Sequence, residues 1–131
     1  MNYLLDTDIA IEYLRGNKKV VEKLIELSFE NLYTSTISLA ELFYGVYCSD
    51  NKEKHLSGLL LFLEKVEIAN INFGISKLFG IMKAELKKEG KLIDNFDLLI
   101  GCISLHNNQI LLTNNIKHYK NINGIKLMSI K

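Results

Sequence analysis

Short β-prone runs alternate with helical stretches along this chain, and that alternation limits the fold more narrowly than any other feature. Residues 3–5, 31–36, 66–71, 109–113 and 125–130 are β-prone or apolar runs too short for stable helices. Between them the apolar residues return at helical spacing, as Ile9, Ile11, Tyr13, Leu14 and then Val20, Val21, Leu24, Ile25, Leu27. Further helices are predicted over about 37–47, 52–65, 73–89 and 94–106, with a helical turn at 116–119. Thr7 or Asp8 is expected to cap the first helix, Gly16-Asn17 to stop it, and Gly90 to end the helix over 73–89. Leu56, Leu59, Leu60 and Leu63 are expected to face inward. Strands separated by helices pair in parallel through crossovers, so the expected class is α/β: a central, mostly parallel sheet of about five strands, flanked by helices on both faces.

A chain of 131 residues has the length of one domain, and no repeat, low-complexity tract or linker divides it; a single domain over 1–131 is expected. With 48% hydrophobic residues it has enough apolar material for a core without disulfides or structural metal. Cys48 and Cys102 lie in apolar surroundings with no Cys or His at ligand spacing, and both are expected to be buried thiols in a reducing cytoplasm. Met1 runs straight into Asn2-Tyr3-Leu4-Leu5-Asp6, so no secretory signal is expected, and no apolar stretch approaches the ~20 residues of a membrane span. Net charge is +1, and Arg15 is the one arginine among 16 basic residues, which argues against a strongly basic nucleic-acid binder. Any basic footprint is local, at Lys83, Lys87, Lys88 and Lys91, which on their own read as a solvated helix face.

The functional signal is a set of carboxylates in unusual places. Asp6 and Asp8 follow the first strand, at the edge where open α/β sheets form their ligand crevice. Helix capping would account for one of them. Glu41 sits in a helix that is apolar on most sides, where a charge is costly unless paired or metal-bound. Alternatively, Ser38, Glu41 and Gly45 form a narrow exposed stripe. Asp94 and Asp97 fall one turn apart at the start of an almost wholly apolar helix. Asp94 suits a cap, whereas Asp97 enters the buried segment. Thr113, Asn114 and Asn115 close the fourth strand, a place that ordinary turn-formers also occupy. Strand ends and one helix start thus deliver Asp6, Glu41, Asp97 and Asn115 toward a common crevice. An all-oxygen set favours Mg²⁺ or Mn²⁺ over zinc and suits phosphoryl chemistry. His55, His106 and His118 are scattered and are expected to be structural or exposed.

These segments together resemble a known family. Leu4-Leu5-Asp6-Thr7-Asp8-Ile9, Ile37-Ser38-Leu39-Ala40-Glu41-Leu42 with Gly45, Asp97-Leu98-Leu99-Ile100-Gly101 and Leu112-Thr113-Asn114-Asn115 occur in the order of the PIN-domain family, and the chain is similar to its VapC toxins over essentially its whole length. The resemblance implies a PIN-like fold and an endoribonuclease in which Asp6, Glu41 and Asp97 bind one or two Mg²⁺ or Mn²⁺ ions, with hydrolysis by a metal-activated water. It makes Asn115 a fourth site residue, at a position that is Asp in many PIN domains, and leaves Asp8, Asp94 and Thr113 as auxiliary. It also implies a homodimer, a cognate antitoxin that silences the site, a structured RNA substrate such as transfer or ribosomal RNA, and a cytoplasmic location. Leu78, Phe79 and Met82 are candidate dimer-interface residues, with packing into the monomer core as the alternative.

Two other readings stay open. Asp6-Thr7-Asp8 also fits the Asp-x-Asp of haloacid-dehalogenase-like phosphohydrolases, although Ala10 departs from the usual residue of that motif. A PIN-like domain with weak chemistry could act instead as a binding module for RNA or protein.

Overall fold

The structure is a computed structural model and describes residues 1–130. In chain order it runs β1 (Tyr3–Leu5), α1 (Thr7–Leu14), α2 (Lys18–Leu27), a 3-10 turn (Phe29–Asn31), β2 (Leu32–Ser35), α3 (Thr36–Tyr47), α4 (Lys52–Lys65), β3 (Glu67–Ala69), α5 (Phe73–Lys88), α6 (Asn95–His106), β4 (Ile110–Leu112), α7 (Ile116–Tyr119) and β5 (Lys126–Met128). The strands form a five-stranded sheet in the order β3-β2-β1-β4-β5, and every pairing is parallel. In register, Leu5 stands opposite Thr34 on one side and Leu112 on the other, so β1 and β4 end at the same level and β2 one residue beyond.

Alternation along each short strand divides the core into two layers. Leu5, Leu32 and Leu112 pack with Ile9, Ala10, Val20, Leu24, Leu42, Leu59 and Phe62, which places α1–α4 over one face. Leu4 and Leu111 pack with Ile75, Leu98, Ile100, Ile103, Tyr119 and Ile122, which places α5–α7 over the other. Each fully buried aliphatic or aromatic side chain contributes about 1.5–3 kcal/mol relative to an exposed one. Among the described residues no helix is long and apolar enough to cross a membrane.

Several local expectations are corrected. Asp6, rather than Thr7 or Asp8, caps α1: its backbone is extended (φ −64, ψ 153) and its side chain accepts from Thr7 N. In α4 the inward positions are Leu59 and Phe62, with Leu56 and Leu63 half-buried, whereas Leu60 is 49% exposed. The run Leu59-Leu60-Leu61 is apolar all round, and the helical turn lets only one of its three leucines face the sheet. Cys102 is buried as expected, but Cys48, at the C-terminal cap of α3, is exposed. Leu78, Phe79 and Met82 are half-buried and pack against the second core layer, with part of each side chain still at the surface. Gly90 (φ +69) follows the end of α5 in the left-handed conformation that its lack of a Cβ allows.

Candidate functional site

The carboxyl ends of β2, β1 and β4 supply Ser35, Asp6 and Thr113 side by side, and all three are buried. Asp6 lies at the middle. Its Oδ1 accepts from the Thr7 backbone N–H at 2.9 Å and from the Tyr119 hydroxyl at 2.9 Å, and its Oδ2 accepts from the Thr113 hydroxyl at 2.7 Å. Three donors orient this carboxylate without neutralising it. Burial pushes its pKa above the ordinary value, with Asp8 adding to the rise and the three hydrogen bonds opposing it.

A chain of hydroxyls runs from β2 to Glu41. Ser38 N donates to Ser35 Oγ at 2.9 Å, Ser35 and Ser38 Oγ are 3.3 Å apart, and the Thr7 hydroxyl stands 2.8 Å from Ser38 Oγ and 2.7 Å from Glu41 Oε1. Thr7 has one proton to give. Donating it to the carboxylate, accepting from Ser38, and letting Ser38 accept from Ser35 satisfies every group. Ser38 is thus buried against Thr7, which rules out the exposed stripe of Ser38, Glu41 and Gly45; of these, only Gly45 is fully at the surface.

Asp97, in the first turn of α6, approaches from the opposite layer. Its Oδ1 lies 3.4 Å from the Tyr119 hydroxyl and its Oδ2 3.3 Å from His118 Nδ1. Burial and then the nearby Asp94 raise its pKa, against the lowering effects of His118 and Tyr119. Asp94 itself is the N-cap of α6, accepting from Phe96 N at 3.1 Å. Asn115 donates from its backbone N to Thr113 Oγ1 at 2.9 Å and from its side-chain amide to Asp8 Oδ2, so these two predicted residues meet each other rather than Asp6. A hollow of about 240 Å³ beside Asp97 is lined by Leu92, Ile93, Asp94, Lys117, His118 and Asn121.

The fold therefore joins Asp6 to Asp97 through Tyr119, and Asp6 to Glu41 through Thr7, while Asp8 and Asn115 form a separate pair at the rim. Among the described residues no three His, Cys, Asp or Glu side chains form a closed ligand cluster, because hydroxyls stand between the carboxylates. The donor chemistry still fits a hard divalent cation: all the groups are oxygens, Asp6 and Asp97 are both desolvated, and of the ion pairs among the described residues only His118–Asp97 involves one of these carboxylates. Thr7, Ser38, His118 and Tyr119 are site residues that the sequence did not single out; Thr7 was legible only as a possible cap, and Tyr119 only as the end of a helical turn.

A parallel α/β sheet with Asp6, Glu41 and Asp97 gathered at its carboxyl edge defines an α/β domain with an acidic site. The PIN domain family model matches residues 3–123. Ribonuclease VapC2 of Rickettsia felis is 36% identical, with the alignment covering 97% of this chain and 96% of that protein. Ribonuclease VapC1 of Haemophilus influenzae strain R2866 is 33% identical, with 96% of each covered. The crystal structure of VapBC2 from Rickettsia felis bound to a DNA fragment from its promoter superposes with a TM-score of 0.93 at 34% identity, covering 100% of both chains. The chain belongs to the PIN domain family and, within it, to the VapC ribonucleases. With that, the haloacid-dehalogenase-like alternative falls.

Proposed function

We propose that this protein is a metal-dependent endoribonuclease, the toxin of a toxin–antitoxin module, and that it hydrolyses phosphodiester bonds of structured RNA such as transfer or ribosomal RNA. The observation that carries this reading is the buried Asp6, ionisable, held by three donors and, among the described residues, in no ion pair with a lysine or arginine, with Asp97 on the far side of one hydroxyl. Asp6, Asp97 and Glu41 would hold Mg²⁺ or Mn²⁺. When bound, such an ion neutralises a phosphate, orients it for in-line attack and lowers the pKa of water.

The chain's own groups do the rest. Thr113 and Thr7 fix the two Asp6 oxygens, so the carboxylate keeps one orientation before substrate arrives. Thr7 also steadies Glu41. Asn115 and Asp8 together form the polar rim where water or a phosphate oxygen is received. Lys117 brings positive charge and His118 an imidazole beside Asp97, where the RNA backbone would pass. Asp94 acts as an auxiliary group, holding the start of α6 and hence Asp97.

The partners on this reading are the RNA, a cognate antitoxin protein and a second copy of the chain, all in the cytoplasm, with residues 1–131 acting as one PIN-like domain. The Rickettsia felis relative, described as VapBC2 on promoter DNA, supports an antitoxin partner.

The test is incubation of the purified protein with a pool of structured RNAs in Mg²⁺ or Mn²⁺ against EDTA, with Asp97→Asn alongside. Metal-dependent cleavage that falls by about 100-fold or more in the variant supports the reading, since losing a direct ligand costs at least what losing its supporting partners does. Tight RNA binding without turnover in either metal would favour a binding module.

A further inference from the structure

Tyr119 is fully buried at the site, and its hydroxyl has no part in the scheme above. Its ring belongs to the core layer of Leu4, Ile100, Ile103 and Ile122. A buried phenol needs a hydrogen-bond partner, and this one has two, both carboxylates: Asp6 Oδ1 at 2.9 Å and Asp97 Oδ1 at 3.4 Å. With a single proton, it donates to Asp6, the nearer acceptor, and lies in weaker contact with Asp97.

We infer that Tyr119 is a positioning residue whose hydroxyl holds Asp6 and Asp97 in the arrangement that takes up the divalent cation. This rests on the metal-dependent reading of the site. Asp6 comes from the end of β1 and Asp97 from α6 in the opposite layer, and among the described residues the Tyr119 hydroxyl is the one group in contact with both. Its ring has little freedom to swing aside. Gly101 of α6 lets the following segment close in so tightly that a Cβ there would lie 2.6 Å from Ile122 Cδ1 and 3.6 Å from Tyr119 Cδ1. The start of α7 is in turn fixed by the Asn115 N–H on Thr113, the residue that holds the other Asp6 oxygen. Partners of this kind orient metal-binding carboxylates, and their removal costs about 10–100-fold in metal affinity.

Tyr119→Phe removes one oxygen and leaves the ring in place. Isothermal titration of Mn²⁺ into the full chain should show binding to Tyr119→Phe weakened about 10-fold. In RNA cleavage the Mn²⁺ concentration for half-maximal rate should rise by the same factor, with most of the maximal rate restored at saturating Mn²⁺. A hydroxyl that only stabilises the fold would lower the melting temperature and leave Mn²⁺ affinity unchanged, and that result overturns the inference alone. Absence of Mn²⁺ binding by the unaltered chain overturns the metal-dependent reading and this inference with it.

Discussion

The Thr113 hydroxyl donates to Asp6 Oδ2 at 2.7 Å, joining residues 107 apart in the chain and tying the end of β4 to the end of β1. Both residues are buried. Thr113→Val keeps the shape of the side chain, removes the donor and strands a carboxylate oxygen. A hydrogen bond to a charged group contributes about 1.5–3 kcal/mol, and a loss of that size is expected in urea unfolding. An unchanged unfolding midpoint would sink the view of Asp6 as an ionised, donor-dependent group.

Asp6 and Asp97 both have pKa values raised from 3.8, chiefly by burial. The folded chain then holds its protons more tightly than the unfolded one, so the metal-free protein loses stability as pH rises from about the ordinary carboxylate value through the raised values. In EDTA, Asp97→Asn removes one of these groups and should melt a few degrees above the parent at pH 7, with a smaller decline between pH 4 and pH 8. Excess Mg²⁺ should reverse the order by stabilising the parent alone. Thermal melts across pH, with and without Mg²⁺, check both halves, and a variant that melts lower in EDTA would contradict them.

The two cysteines should separate in a thiol-labelling experiment. Cys48 is exposed, whereas Cys102 is buried with its thiol pushed up to about 11. Because the thiolate is the reacting form, a thiol reagent at pH 8 should modify one site per folded chain, identified by peptide mass spectrometry as Cys48, and Cys102 only after denaturant is added. Labelling of Cys102 at the rate of Cys48 would show that α6 opens in the native protein.

What the sequence disclosed follows from how far each feature depends on distant residues. Strand positions were legible because a parallel sheet covered on both faces demands short apolar runs, and only their ends differ: the run over 66–71 contracts to Glu67–Ala69, which pairs with β2 alone at the sheet edge. The helices over 52–65 and 116–119 have the predicted bounds. Asp6, Glu41 and Asp97 stood out because a charge bordering apolar residues is anomalous locally. Tyr119 did not, since an aromatic residue at the end of a short helical turn is ordinary and its partner Asp6 lies 113 positions away. The same holds for His118, whose importance is its 3.3 Å approach to Asp97. The cap of α1 was misplaced by one or two residues because Asp6, Thr7 and Asp8 all suit a cap, and only the backbone turn after β1 selects among them.

The sheet order also sets a clock. The strand made first, β1, lies at the centre, and its neighbour β4 is made near the end. At about 5–20 residues per second, the interval between synthesis of Asp6 and of Thr113 is roughly 5–20 s. Throughout that time the growing polypeptide has Asp6 but neither Thr113 nor Tyr119 to hold it, so a ribosome making this protein carries no assembled site for most of its translation.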